Sequence, residues 1–170
     1  EGFNPDNPPV VQQALEDAFE DLLDAGLNTG RVQMDWIDVE IAPNQYDLTE
    51  LEERLSDYSD LGLPIFLLLA SADSDSLNYP SDLLDSEGNL ANGMRPDDPL
   101  IVSRYNAMMD RVLPVARAHG VFAISIGNEP DTFHEFDQNF VADFIEFTRL
   151  VNQHCQTVEP DIAITYTSTT

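Results

Sequence analysis

Along this chain a helical hydrophobic period and short apolar runs take turns, with brief connections between them, and that alternation leaves few architectures open. Repeated βα units lay their strands side by side in a parallel sheet and cover it with the helices. Residues 10–25 put Val11, Leu15, Ala18, Phe19, Leu22 and Leu23 on one helical stripe, which Gly26 stops. A strand follows over about Thr29–Trp36. Asp47 and Glu50 then form a capping box for a helix whose apolar face is Leu48, Leu51, Leu55, Tyr58 and Leu61, ending at Gly62. Leu63–Ala70 reads as a fully buried strand. The polar stretch Ser71–Pro99 (71–99) is too long for an idle connection and reads as a loop or excursion at the carboxyl-end face of the sheet.

The pattern then resumes. A helix is expected over Leu100–Ala118, kinked or restarted at Pro114, and it closes on His119 and Gly120. Strand Val121–Ile126 leads into Gly127, Asn128, Glu129 and Pro130. A helix over about Asp137–Cys155 turns Phe140, Phe144, Phe147, Leu150 and Val151 inward, and a last strand spans Ile162–Thr167. The count is four strands and four helices, with an earlier strand either missing or reduced to Gly2 and Phe3. A complete eightfold βα barrel takes about 250 residues. The 170 residues here therefore predict a single α/β domain, residues 1–170, that is a partial (β/α)8 TIM barrel covering about strands two to five, a fragment of a longer fold. The alternative is a complete, smaller doubly wound domain.

Charge narrows the partners. Thirty-two acidic residues face seven basic ones, all arginine, for a formal net charge of −25. Such a surface repels phosphate backbones and anionic lipid, so nucleic acid and membrane are not expected, whereas a neutral carbohydrate meets no such barrier. The acids are spread along the chain as solvated helix faces, which fits adaptation to high salt, where screening removes self-repulsion. The expected result is a melting temperature that rises from low to molar salt; an unchanged one removes the halophilic reading. The longest apolar run, Leu63–Ala70, is far short of the roughly 20 residues of a membrane helix. The opening EGFNPDNPP carries no signal-peptide pattern. The protein is thus either cytosolic or already processed, with a secreted or periplasmic one favoured. Cys155, the single cysteine, reads as a small packed residue.

The carboxyl ends of parallel strands face the active site in either architecture. Those ends offer Asp35, Trp36 and Asp38, then Ser71 and Asp73, then Asn128 and Glu129, then Tyr166 to Thr170. Glu129 stands out. It follows the buried run VFAISIG, Gly127 permits close approach, and a partly desolvated carboxylate at a barrel mouth can protonate a leaving oxygen. Its plainer reading is a helix N-cap or a surface acid. His119 and His154 sit near helix C-terminal ends, and the three histidines show no metal-ligand spacing. No phosphate loop, nucleophile elbow or Cys/His pair is present.

Two segments carry a resemblance. GLNTGRVQMDW is similar to the second-strand signature of the retaining (β/α)8 glycosidases, and ISIGNEPD resembles the Asn-Glu-Pro motif that closes their fourth strand. SIGNEPD, an aromatic-rich helix and VEPDIAITYTS together look most like the β-xylosidase and endo-glycanase branches. The resemblance implies that Glu129 is the general acid/base and that Asn128 hydrogen-bonds the sugar 2-hydroxyl. It also implies that Arg31 orients the nucleophile from low in the barrel and that Trp36 stacks on a sugar face or packs as core. Arg31 as a surface or ion-pair arginine remains the other reading, and His134 either lines a sugar subsite or is a loop histidine. Retaining hydrolysis needs two carboxyl groups about 5–5.5 Å apart. The family's nucleophilic glutamate lies near the end of strand seven, and the 170 residues hold no counterpart to it. The implied function is retaining hydrolysis of a β-linked glycan or glycoside without metal or organic cofactor. The alternative is a non-catalytic carbohydrate-binding or scaffold protein with a barrel-like α/β fold, and an incomplete barrel invites self-association.

Overall fold

The computed structural model describes residues 9–74, 76–135 and 139–169. The strand expected at Gly2 and Phe3 lies outside them. In chain order the elements are α1 (Pro9–Asp24), β1 (Gly30–Asp35), the short α2 (Trp36–Val39), the hairpin β2 (Glu40–Ala42) and β3 (Gln45–Tyr46), and α3 (Thr49–Ser59). There follow β4 (Ile65–Ala70), the hairpin β5 (Ala72–Asp73) and β6 (Ser76–Leu77), and α4 (Pro99–Ala118). The last are β7 (Val121–Asn128), α5 (Phe140–Val158) and β8 (Ala163–Thr167).

The four long strands pair in parallel in the order β1-β4-β7-β8, with Leu67 beside Val32 on one side and Ile124 on the other, and Ile164 beside Ile124. Spatial order follows sequence order with no reversal. A doubly wound sheet turns back at a switch point, so this arrangement is the wall of a partial barrel and not the smaller alternative. The alternation of side chains across each strand assigns the two faces. Val32, Met34, Leu67, Leu69, Ile124 and Ile126 join the core beneath the helices. Arg31, Gln33 and Asp35 are out of phase with Val32 and Met34 and occupy the other face, with Phe66 and Leu68 beside Arg31 and Gln33 in register. Phe122, 47% exposed, has its ring 6.4 Å from that of Phe66.

An aromatic chain runs through the helix-side core. Tyr79 meets Trp36 (ring centroids 5.1 Å), Trp36 meets Tyr105 (4.9 Å), Tyr105 meets Phe147 (5.2 Å), and Phe147 meets Phe144 (5.5 Å). It carries the packing from the end of β1, across α4, to α5. Asp98 caps α4 by accepting from the Leu100 amide at 2.9 Å, and Pro99 occupies the first turn, where no amide partner is needed. Of the two outcomes expected at Pro114, a restart does not occur: twenty residues of helix run through it. Val112, Leu113 and Ala116 are buried on either side of the proline, and that burial offsets a hydrogen-bond loss and ring clash costing about 3 kcal/mol. Among the described residues no helix is long and apolar enough to cross a membrane.

Candidate active site

Close packing sets the height of the β7 end. A β carbon at Gly127 would lie 2.5 Å from Cζ of the buried Phe144, so only glycine lets α5 approach so near. The β7–β8 register shifts between Ser125 and Asn128, and the Ser125 hydroxyl donates to the Gly127 carbonyl at 2.8 Å. Such an irregularity re-aims the residues that follow it. Glu129 then leaves the strand with φ +52°, on the left-handed side, although a residue before proline favours extended backbone. Its amide donates to the Thr167 carbonyl at 2.9 Å, and its carboxylate Oε2 lies 3.2 Å from the Ser74 hydroxyl. Glu129 is partly buried.

Asn128 is held on both ends of its amide. Its Nδ2 donates to Asp73 Oδ1 at 2.7 Å, and its Oδ1 accepts from the Thr167 hydroxyl at 2.7 Å. Asp73 Oδ2 accepts in turn from Gln33 Nε2 at 3.1 Å, and Gln33 Oε1 accepts from Arg31 Nη2 at 3.1 Å. A chain of polar contacts thus joins Arg31, Asn128 and, through Ser74, Glu129. Arg31 itself is exposed and lies near the amino end of β1, opposite Phe66.

Trp36 requires a correction. It is 0% exposed, its indole N–H donates to Glu40 Oε2 at 2.8 Å, and its rings pack on Tyr79 and Tyr105. It belongs to the core and offers no face to a sugar. The chain turns into α2 at this residue, and Trp36 and Val39, three apart on that single turn, are both buried. Glu40 is buried too, accepting from Arg104 Nη2 at 2.8 Å and from the Asn44 amide at 2.7 Å. The His134 backbone lies in the 3-10 turn Pro130–Glu135, and its side chain is outside the described residues. His119 caps α4 and sits 3.0 Å from the Ser59 hydroxyl, while His154 meets Asp110 at 2.7 Å. Burial pushes the Cys155 thiol up to about 12. Among the described residues no group of three or more His, Cys, Asp or Glu side chains could hold a metal ion.

No protein-family model matches the chain, and no curated protein matches it. Solved structures do. An exo-β-1,4-mannosidase from Opitutaceae bacterium strain TAV5 superposes at TM-score 0.68 and 24% identity over 92% of this chain. Endo-glycoceramidase II from Rhodococcus sp. does so at 0.67 and 19% over 88%, and a xylanase from Paenibacillus barcinonensis at 0.57 and 12% over 91%. The chain has the fold of part of a glycosidase barrel. It spans 29%, 43% and 46% of the lengths of these three proteins.

Within this partial barrel, Asp35 at the carboxyl end of β1 is a carboxyl group displaced upward by its surroundings. Burial, then the neighbouring charges of Asp38 and Asp73, hold it above the usual aspartate range, against the opposing pull of Asn78 and Arg54. A carboxyl raised on folding binds its proton more tightly in the native state, so stability declines as pH climbs from the ordinary value through the raised one. Asp35→Asn is therefore expected to raise the melting temperature at pH 7, with the advantage shrinking as pH falls through the raised value toward the ordinary aspartate one; an unchanged or lowered value at pH 7 removes the account.

Sequence reading passed over Ser74 and Gln33 as site residues, and it reached Thr167 only within the strand-end stretch Tyr166 to Thr170. Gln33 had a readable signal, since it sits two residues along the strand from Arg31 and so on the same face. Ser74 had none, because its contact with Glu129 spans 55 positions. A depression of about 430 Å³ lined by Ser59, Leu63, Pro64, His119 and Gly120 lies at the amino ends of β4 and β7, the end opposite Glu129.

Proposed function

We propose that the protein carrying this chain hydrolyses a β-linked glycan or glycoside with net retention, with Glu129 as general acid/base. The observation that carries the reading is the placement of a partly buried glutamate just past the carboxyl end of β7, next to an asparagine whose amide is fixed from both sides. A general acid has to stand within hydrogen-bond reach of the leaving oxygen, and strand-end carboxylates of a barrel wall are presented to a common mouth. In this scheme Asn128 keeps one amide proton for a substrate hydroxyl, because its other proton goes to Asp73. Arg31 supplies positive charge on the same sheet face, and the second carboxylate has to stand about 5–5.5 Å from Glu129 for a retaining displacement. The substrate class agrees with the names of the exo-β-1,4-mannosidase and of a β-glycosidase that shares the fold.

The reading is tested on the protein from its complete reading frame, incubated with a series of β-glycosides while NMR follows the first sugar anomer released. The β anomer appearing first is expected. The α anomer first, or glycan binding without turnover, would discard the retaining mechanism, the second outcome in favour of a carbohydrate-binding protein.

A further inference from the structure

We infer that Ser74, on the turn after β5, is a positioning residue that fixes the Glu129 carboxylate through its hydroxyl. The inference rests on the glycosidase reading above. Ser74 and Glu129 both have left-handed backbone, φ +53° and +52°, which side-chain-bearing residues adopt at a cost of about 1–2 kcal/mol. Such conformations persist where surrounding contacts over-determine them. Here the Ser74 amide donates to the Asn128 carbonyl at 2.8 Å. The Thr132 hydroxyl reaches the Ser74 carbonyl and, at 2.8 Å, the Glu129 carbonyl. The two strained residues are clipped to each other, and the clip brings their side chains together.

The Ser74 hydroxyl has one proton and two carboxylates in reach, Glu129 Oε2 at 3.2 Å and Asp73 Oδ1 at 3.3 Å. Asp73 already accepts from Asn128 and Gln33. Among the described residues the Glu129 carboxylate has no other hydrogen bond, so it is the acceptor with more to gain. A hydroxyl also suits a group that cycles its proton, since it donates to the carboxylate and accepts from the carboxylic acid. An arginine or lysine in its place would hold only the ionised form. Fixing a long, flexible glutamate from a neighbouring strand end keeps its oxygen aimed at one position, as a proton transfer within hydrogen-bond distance requires.

The test uses Ser74→Gly and Ser74→Ala in the protein from its complete reading frame. Glycine accepts the left-handed backbone without strain, so that variant removes the hydroxyl while leaving the turn intact. Because a hydroxyl donor favours the ionised carboxylate, its loss is expected to move the alkaline limb of the kcat/KM–pH profile upward by about half a unit in both variants. A fall in kcat of about 3–10-fold with little change in KM should accompany it. An unmoved limb and unchanged kcat in both variants overturn the inference, and so does a shift in the alanine variant alone, which would trace the effect to backbone strain. If Glu129→Gln itself leaves turnover intact, the glycosidase reading fails first; if Glu129→Gln abolishes turnover and the Ser74 variants do nothing, only the role of Ser74 is lost.

Discussion

Glu129→Gln is expected to leave the fold in place and to lower kcat/KM on glycosides with poor leaving groups by about 10²–10⁴-fold. The amide has the same shape and can still accept from the Ser74 hydroxyl, so the turn that clips Ser74 to Glu129 remains. It cannot deliver a proton to the departing oxygen. The loss should therefore scale with how much the leaving group needs that proton. An alkyl alcohol leaves poorly without it, whereas an acidic phenol departs as its anion with far less help. Steady-state kinetics on a paired alkyl and nitrophenyl glycoside, with circular dichroism to check folding, give the measurement. Wild-type turnover on both substrates would leave Glu129 without a catalytic role, and an equal loss on both would point to a positional or binding defect instead.

The largest stability effect is expected at the ion cluster that joins the rim segments to α4. The Arg104 side chain is 7% exposed and that of Glu40 0%, and Glu40 accepts from two guanidinium nitrogens, the Trp36 indole and the Asn44 amide. The same guanidinium reaches Asp82 Oδ2 at 2.5 Å. One arginine on α4 thus fastens α2, the β2–β3 hairpin and the 71–99 excursion. Removing one partner of a buried pair strands the other charge at a cost of about 3–5 kcal/mol. Arg104→Leu should accordingly lower the melting temperature by roughly 6–20 °C in a chain of this size. Replacing both partners, as in Arg104→Leu with Glu40→Leu, should recover part of that, because no buried charge is left uncompensated while the Trp36 indole and the Asn44 amide lose their acceptor. Single variants that melt within a degree or two of the parent would show that the pair contributes little. Arg104 also holds the Asp82 carboxyl below its usual range. That contribution is present above the ordinary aspartate range and lost as pH falls through the lowered value, so the gap between parent and Arg104→Leu should narrow in acid.

Much of the wall was legible in the residues. The stripe of Leu51, Leu55 and Tyr58, the apolar run to Ala70 and the phenylalanines of α5 each satisfy a local period, and a local period is enough to place a helix or a buried strand. The loop residues were harder. The β2–β3 hairpin turns on Pro43 and Asn44, with Asn44 at φ +59°, and the β5–β6 hairpin is too short to show an alternation. Trp36 was open to two readings because the residue after a strand faces the mouth or the core according to how the backbone turns. A single helical turn directs it inward, and no nearby residue announces that turn.

By itself the sequence determined the βα rhythm, the helix faces, the acidic surface and the exceptional position of Glu129 after a buried strand, since all of these follow from neighbours a few residues apart. Tertiary structure alone decided that the strands run in unbroken order and form a barrel wall. It also decided that Trp36 and Glu40 are buried together under Arg104, and that Ser74 and Asp73 meet Glu129 and Asn128 from the β5 end. Those facts depend on contacts between residues 35 to 69 positions apart. A one-dimensional pattern encodes which face a residue occupies within its own element, but the partner that meets it there is set only when the elements pack.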